Sequence, residues 1–319
     1  MARWQREGVI TCSSRYLLPP RELPLPPTPS VLQYETAIVT FMDILGFRDL
    51  IQRKSADEVS QAIDLFRENS PQHVDSTLGE LEAAGLLDGP HEAVPGDARV
   101  IAFSDSIIRV QPAGMESGLF YELLGVLHAQ GELVMRGILI RGGVALGEVF
   151  VSDDRIFGPA FVEAYEIESK VSIYPRIVVS PRALHGLRDG SVPPGNHHGR
   201  EWEMSYVKGL LMRGDDGLWS IDYLRGFRAE LDVPEMYGEY LAKHLEIIQM
   251  LAKAPGVAHG DITSLALKAN WLAMYHNQVV NELSPEELSA FGFAREDLLV
   301  ADSELPTLFE FPPGLPSEG

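Results

Sequence analysis

The sequence predicts an α+β sandwich of the ferredoxin-like type, followed by a C-terminal helical extension. Apolar runs of strand character alternate with helical stripes in the order β-α-(α)-β-β-α-β-β-α-β, and a further hairpin comes after them. Strands that are joined directly as hairpins, with helices between them, are typical of α+β folds. A chain of 319 residues with 45% hydrophobic residues can bury a full core.

Each element follows from its local pattern. The first strand covers about residues 36–42, and a helix follows from Phe47 with an apolar face of Leu50, Ile51, Val59, Ile63 and Phe66. The remaining predictions, in chain order, are a helix at about 74–86, a hairpin of 98–104 and 107–111, a helix at about 116–131, two strands within 137–151, a helix after Gly158-Pro159, a strand at 176–179, a hairpin of 203–211 and 217–224, a helix at 234–253, and a last helix capped by Asp261.

The chain is predicted to have four parts. These are a Pro-rich leader at 1–33, the sandwich domain at 34–228, a helical extension at 229–305 and a tail at 306–319. The prolines of the leader exclude a helix or a central strand there. An extended, polyproline-like arm and simple disorder both remain open for it.

Composition excludes several classes of partner. The chain has 26 Lys and Arg against 46 Asp and Glu, a formal charge of -20, which disfavours binding to nucleic acid because phosphate contacts need clustered cations. A nucleotide substrate stays possible, since a bound metal can meet its charge. No apolar run reaches the length of a membrane span, and the N-terminus lacks the apolar core of a signal peptide. The single cysteine, Cys12, cannot form an internal disulfide, which favours a reduced, cytoplasmic setting.

Two aspartates at strand ends carry the clearest chemical signal. Asp43 and Asp105 each follow an apolar, β-branched run, at 37–40 and 100–102, and a buried strand would not tolerate an unpaired carboxylate. If neighbouring strands bring them together, their oxygens suit Mg²⁺ or Mn²⁺. The alternative is that each aspartate only caps a turn.

Further residues are candidates for phosphate or nucleobase contacts, and most of them also have a purely structural interpretation. Gly46 lets the backbone of the turn at 44–47 approach a phosphate at the start of a helix, or merely relieves the turn. Lys208 interrupts an apolar strand and could balance a phosphate. Arg141 and Arg176 could do the same, or form surface ion pairs. Phe41 lies on the same strand face as Asp43, where it could stack on a nucleobase or belong to the core.

Six segments between residues 41 and 209 together resemble a class III nucleotidyl cyclase catalytic domain. More narrowly, they resemble the pyrimidine cyclases of bacterial Pycsar antiphage defence systems. The likeness covers about residues 35–226 and continues more weakly into Trp271, Tyr275 and Asn277. The segments that carry it, in order, are 41–47 (FMDILGF), Ser104-Asp105, 141–147 (RGGVALG), 157–168 from Phe157-Gly158-Pro159-Ala160 to Glu168, 174–180 (YPRIVVS) and 206–209 (YVKG).

The resemblance implies a two-metal enzyme that converts UTP, or CTP, into the 3′,5′-cyclic nucleotide and diphosphate. Two Mn²⁺ or Mg²⁺ ions per site would be bridged by Asp43 and Asp105, with the Ile44 carbonyl completing one shell. The implied residues around the substrate are Phe41 at the base, Leu45, Gly46 and Phe47 in the phosphate loop, and Lys208, Arg141 and Arg176 as cations. The resemblance also implies a cytoplasmic homodimer with shared sites, whose product signals phage infection.

This chain departs from the purine cyclases at four positions. Where those enzymes read the base with a lysine and an acidic residue, it has Ile101 and Arg155, and their transition-state asparagine and arginine fall at Val162 and Glu166. Three hypotheses remain: a pyrimidine cyclase, a purine cyclase with an unorthodox pocket, and a silent nucleotide-binding or dimerisation module. Whether the nearby Glu163, Glu166 and Glu168 shape the pocket or are solvated stays open.

Overall fold

The computed structural model describes residues 32–68, 99–152, 154–195, 199–231, 233–254 and 262–306. The predicted helix at 74–86, Cys12, most of the leader, the Asp261 cap and most of the tail lie outside these residues. The four-part division of the chain stays a prediction. From Tyr34 onward the described residues belong to one compact unit.

A mixed sheet forms the centre of the fold, as the α+β prediction requires. Its strands run in the order β2-β3-β1-β4-β6-β8-β7, with β5 paired to β4. The pairing of β4 with β6 is parallel, and the others are antiparallel. The strands are β1 (Glu35–Ile44), β2 (Arg99–Phe103), β3 (Ser106–Pro112), β4 (Ile140–Val151), β5 (Ile156–Phe157), β6 (Ile177–Val179), β7 (Leu211–Arg213) and β8 (Trp219–Ile221).

Helices cover both faces of the sheet. They are α1 (Phe47–Arg53), α2 (Ala56–Glu68), α3 (Gly118–Met135), α4 (Pro159–Glu166), α5 (Pro181–Asp189), α6 (Arg200–Gly209), α7 (Tyr223–Ala229), α8 (Met236–Ala252), α9 (Ile262–Glu282), α10 (Pro285–Phe291) and α11 (Arg295–Leu298). A π-helical segment, Ile167–Val171, extends α4, and a 3₁₀ turn covers Asp302–Glu304. No helix among the described residues is both long enough and apolar enough to cross a membrane.

Strand β1 is buried on both faces, which explains its unbroken apolar run. Ile38 and Met42 point into the main core, shared with α2, α3, α5 and the helices from α7 to α9. Val39 and Phe41 point to the opposite face and join a second core, which α4 covers. Alternate residues of a strand face opposite sides, so Asp43 lies on the face covered by α4.

The prediction of two strands within 137–151 is wrong. Residues 140–151 form one long strand, β4, and its glycines serve close packing instead of a turn. A Cβ atom on Gly143 would lie 2.5 Å from the Cβ of Ile167 and 2.6 Å from the carbonyl oxygen of Ala164. The missing side chain therefore lets α4 and its π-helical extension lie directly on the strand.

The predicted strand at 203–211 is also wrong. Residues Arg200–Gly209 form helix α6, because Glu203 and Val207 are buried at helical spacing and Leu210 follows on the same side. Only Leu211–Arg213 pairs as a strand, with Trp219–Ile221, across the predicted turn. The second arm of the predicted hairpin ends early, since Asp222 caps α7 by accepting a hydrogen bond from the Arg225 amide.

A chain of buried hydrogen bonds ties the C-terminal helices together. His276 Nε2 lies 2.7 Å from the Leu298 carbonyl, which can only accept, so His276 donates there. Its Nδ1 then accepts from His244 Nδ1 at 3.1 Å, and His244 Nε2 accepts from the Tyr223 hydroxyl at 2.8 Å. Burial favours the neutral form of both imidazoles, and a proton added to Nδ1 of His276 would face the proton on Nδ1 of His244.

Acid is therefore expected to destabilise the fold through His244 and His276. Burial lowers the pKa of His276 to about 4 and holds the pKa of His244 well below its ordinary value. The unfolded chain takes up these protons near pH 6.5, so the stabilisation is complete above that pH and is lost as the pH falls towards 4. Each histidine adds a slope of about 1.4 kcal/mol per pH unit to the free energy of unfolding within that window. Urea unfolding at several pH values measures it.

Tyr223, which contacts His244, is linked through the same buried network to the hydroxyls of Tyr240 and Tyr275 and to the Asp222 carboxylate. Burial raises the pKa of each of these tyrosines, so they stay protonated in the window. His276→Gln should remove one histidine's share of the slope, whereas His185→Gln, at an exposed position of α5, should not. Equal slopes in His276→Gln and the unmodified chain would contradict the assignment.

Candidate functional site

The fold brings Asp43 and Asp105 together at one end of the sheet. Asp43 lies near the end of β1, opposite Ser106 of β3, and Asp105 lies in the turn between β2 and β3. The Ile44 amide donates to the Asp105 carbonyl at 3.0 Å, which fixes the turn against β1. The charge of Asp105 acts on the Asp43 carboxyl and raises its pKa. The structure thus places the two aspartates at the same end of the sheet, and a metal role for them stays a prediction.

The turn between β2 and β3, which contains Asp105, has one strained backbone position. Ser104 has φ of 58°, in the left-handed region that non-glycine residues rarely adopt. The reversal lets β2 pair with β3 in register, Phe103 facing Ser106, and leaves Asp105 in the turn, where its charge acts on Asp43. A tight hairpin therefore places the second carboxylate.

Arg141 bridges Asp43 to a third carboxylate. It lies directly opposite Asp43 on β4, and its Nε is 3.3 Å from Asp43 Oδ2. Its Nη2 lies 2.6 Å from Oε1 of Glu168 in the π-helical segment. Arg141 and Asp43 each keep about one fifth of their side-chain surface exposed, at 23% and 20%, so the group is open to solvent.

Glu168 is the site residue that the sequence did not single out. It is 4% exposed, whereas Glu163 and Glu166 are not buried, which answers which of the three acidic residues belongs to the pocket. The π-helical turn at 167–171 is what directs it inward, and such a turn has no clear sequence signal. The sequence indicates Glu168 only by its position, where the apolar face of the predicted helix would continue.

The charges of the site favour a bound cation. Burial raises the pKa of Asp43, and the Asp105 charge raises it further, against the opposing effect of Arg141. Burial also raises the pKa of Glu168, opposed by Arg141 and reinforced by Asp43 and Asp105. Clustered carboxylates that are costly to ionise gain most from a divalent cation.

The donor set fits a metal that arrives with substrate. No group of three His, Cys, Asp or Glu side chains within the described ranges is placed to hold a metal ion as a closed cage. Mg²⁺ is instead commonly held by one or two carboxylates together with substrate phosphates and waters. Asp43 and Asp105 supply that pair of carboxylates, on oxygen ligands that also suit Mn²⁺.

The predicted phosphate loop has a left-handed turn at its centre. Gly46 has φ of 71° and precedes α1, so the requirement for glycine at the turn is met directly. The side chains of Leu45 and Phe47 pack against the main core, which leaves only the backbone of this loop to face a ligand. Helix α1 spans seven residues, and a phosphate role for the loop stays a prediction.

Two predicted cations lie in other settings. Lys208 is an exposed residue of α6, a helix that packs against α3 and α5, and does not interrupt a strand. Arg176 is 2% exposed and forms an ion pair with Asp216 in the turn between β7 and β8. Its charge is therefore already compensated within the fold, and a substrate role for either residue stays a prediction.

Phe41 sits beneath an aromatic cover. It is 7% exposed and makes edge contacts with Phe161 and Tyr165 of α4, at ring-centroid distances of 5.9 and 5.4 Å. Tyr165 is 48% exposed and is the ring of this group that faces solvent. Phe41 therefore packs as a core residue, and stacking of a nucleobase on its ring stays a prediction.

The four departures from the purine cyclases are all placed by the fold. Ile101 is a half-buried residue of β2 that packs on the second core. Arg155 is exposed and pairs with its neighbour Asp154. Val162 is 51% exposed on α4, and Glu166 pairs with Lys170.

Comparisons with known proteins give a distant likeness to solved structures. No protein-family model and no curated protein matches the chain. Among solved structures, the chain is similar to the crystal structure of the adenylyl cyclase CyaB from P. aeruginosa, with 16% sequence identity and a TM-score of 0.34. The match covers 59% of this chain and 94% of that one. A likeness at this level carries no argument about activity, so the functional inference depends on the residues of the site.

Proposed function

We propose that the chain is a nucleotidyl cyclase that acts on a pyrimidine nucleoside triphosphate, UTP in preference to CTP. The observation that carries the proposal is the meeting of Asp43 and Asp105 at one end of the sheet, in a charge setting that favours a cation. The sequence resemblance to class III cyclases assigns that pair to metal binding, and it alone favours UTP over CTP.

In the proposed reaction the ribose 3′-oxygen attacks the α-phosphorus. The bond from the α-phosphorus to the bridging oxygen breaks, diphosphate leaves, and the 3′-hydroxyl proton passes to solvent. Two Mn²⁺ or Mg²⁺ ions, when bound, supply activation of the hydroxyl and neutralisation of the phosphate charge. Asp43 and Asp105 would hold them, with the Ile44 carbonyl as a further oxygen ligand.

Arg141 has a positioning role in this scheme. Its guanidinium holds both Asp43 and Glu168, which fixes the Asp43 carboxylate on the side of Asp105. A planar guanidinium that contacts two carboxylates also offsets their mutual repulsion and so holds them near each other.

Pyrimidine preference is supported by the residues that face the purine-reading positions. Ile101 has no hydrogen-bonding group, and Arg155 is directed to Asp154. Neither can repeat the contacts that the resemblance assigns to purine cyclases. The smaller base instead lies within reach of an aromatic group, of which Tyr165 is the exposed member.

A homodimer with shared sites is part of the proposal. Large apolar side chains are exposed on the elements that carry the site: Phe103, next to the turn of Asp105, is 77% exposed, and Val162 of α4 is 51% exposed. Exposed apolar groups beside a site suit a second copy of the chain. We further propose a cytoplasmic enzyme whose product is a second messenger in antiphage defence, which the resemblance supports.

Incubation of the full chain with each of the four nucleoside triphosphates and Mn²⁺, with products separated by chromatography, tests the proposal. Cyclic UMP or cyclic CMP is the expected product, and specific activity should fall as the protein is diluted. Cyclic AMP or cyclic GMP as the sole product would overturn the pyrimidine assignment. No cyclic product from any triphosphate would overturn the cyclase assignment, and activity that is constant on dilution to monomers would overturn the shared site.

A further inference from the structure

We infer that Lys268, on helix α9 of the C-terminal segment, binds the phosphate chain of the substrate, so that this segment supplies part of the site. The inference rests on the proposed function for the identity of the ligand. It assigns to the C-terminal helices a direct contact with a nucleoside triphosphate.

A ring stack fixes α9 beside the site. Trp271 of α9 stacks on Tyr174, with ring centroids 5.2 Å apart and an interplanar angle of 6°. Two residues further on, the Arg176 carbonyl accepts a hydrogen bond from the Gly142 amide at 3.0 Å. Gly142 is the neighbour of Arg141 on β4, so the stack anchors α9 to the strand that carries the central arginine of the site.

Lys268 lies on the same side of α9 as this anchor. It precedes Trp271 by three residues, and residues three apart on a helix are neighbours on one face. Its side chain is half-buried. Its ammonium interacts electrostatically with Arg141 and with Asp43: burial lowers the pKa of Lys268, Arg141 lowers it further, and Asp43 raises it.

Unlike Arg141 and Arg176, Lys268 forms no ion pair among the described residues. Arg141 is engaged by Asp43 and Glu168, and Arg176 by Asp216. Within the described part of the chain, Lys268 has neither a hydrogen-bond nor an ion-pair partner. A half-buried ammonium without a carboxylate is unfavourable on its own and gains from a bound anion.

The chemistry of the ligand follows from what the neighbouring groups bind. Divalent cations on Asp43 and Asp105 would neutralise part of a triphosphate, and the rest of its charge needs a flexible point charge nearby. Lysine provides that, with three donors on a long stem that can follow phosphate oxygens. Lys268 thereby takes the role that the sequence analysis gave to Lys208, which lies exposed on α6.

Titration calorimetry of the full chain with Mn²⁺ and inorganic triphosphate tests the inference, together with the KM for the nucleoside triphosphate. Lys268→Met should raise the dissociation constant and KM by about tenfold to a hundredfold, the range for a lost hydrogen bond to a charged group. Lys268→Arg should recover most of the binding. The matched control is Lys243→Met, which removes a lysine that pairs with Glu246 on α8 and should change neither value.

The melting temperature separates binding from packing. Removing an unpaired charge should leave the melting temperature of Lys268→Met at or above that of the unmodified chain, whereas a structural role would lower it. A dissociation constant for triphosphate within twofold of the unmodified chain would overturn the inference. If the unmodified chain binds triphosphate but cyclises no nucleotide, weakened binding by Lys268→Met would still support the lysine while the cyclase proposal fails.

Discussion

Asp105→Asn is expected to lower cyclase turnover by about a thousandfold or more. The substitution keeps the size of the side chain and removes the negative charge that a divalent cation needs. Metal ions contribute several kcal/mol of stabilisation to a transition state of this kind, and about 4 kcal/mol corresponds to a thousandfold in rate. Initial rates of cyclic nucleotide formation in saturating Mn²⁺ measure the loss, and Asp43→Asn should behave in the same way.

The control is an aspartate in the other hairpin turn. Asp215 is exposed between β7 and β8, so Asp215→Asn makes the same chemical change in a similar turn away from the site. It should keep the full rate. Circular dichroism should show the same fold for all three variants, because each substitution keeps the size of the side chain. Turnover by Asp105→Asn within tenfold of the unmodified chain would exclude a metal role for that carboxylate.

Strands that one hairpin connects could be predicted from the sequence. The apolar runs before Asp43 and Asp105 identified β1 and β2, and the short turn after Phe103 required β3 to return antiparallel. The meeting of Asp43 and Asp105 also requires β3 to pair with β1, and that strand order is not stated by the sequence. Their partner Arg141 also lay in an identifiable strand, although its cross-strand position opposite Asp43 depends on register, which the sequence does not state.

The incorrect predictions, and the site residues that were not predicted, have local physical causes. The segment at 203–211 has apolar residues that fit both a strand and a helix, and burial of Glu203 and Val207 against the neighbouring helices decides for the helix. The segment at 137–151 forms one strand instead of two, and α4 and its π-helical extension pack directly on it at Gly143. Glu168 and Lys268 come to the site through a π-helical turn and a distant ring stack, and both depend on tertiary contacts.

One arginine among three carboxylates defines how the site behaves before substrate arrives. Arg141 compensates part of the charge of Asp43 and Glu168, and Lys268 acts on the same group, but with Asp105 the negative charges outnumber the positive ones. The group therefore attracts cations, and under the proposed function a triphosphate would bind together with its metal. Binding of metal and nucleotide should therefore be mutually dependent, as the linkage between two ligands at one site requires.

Glu122→Gln is expected to destabilise the fold by about 3–5 kcal/mol, because it removes one charge of a buried ion pair. Glu122 on α3 is 1% exposed and lies 3.0 Å from Nη2 of Arg109 on β3, which is 2% exposed. The other oxygen of Glu122 accepts a hydrogen bond from Thr40 of β1 at 2.7 Å. The pair thus joins the central strands to the helix under the main core. Urea unfolding at neutral pH measures the loss.

Glu132→Gln on the same helix is the matched control. Glu132 pairs with Arg136 at 2.9 Å, but both side chains are more than 40% exposed, so its loss should cost only about 0.3–0.5 kcal/mol. The double variant Arg109→Met with Glu122→Leu should recover most of the stability that Glu122→Gln loses, since apolar residues of similar volume need no counter-charge. If Glu122→Gln costs no more than Glu132→Gln, the buried pair does not hold α3 on the sheet. Because the pair lies on the face of β1 opposite Asp43, nucleotide binding by the folded fraction should be unchanged.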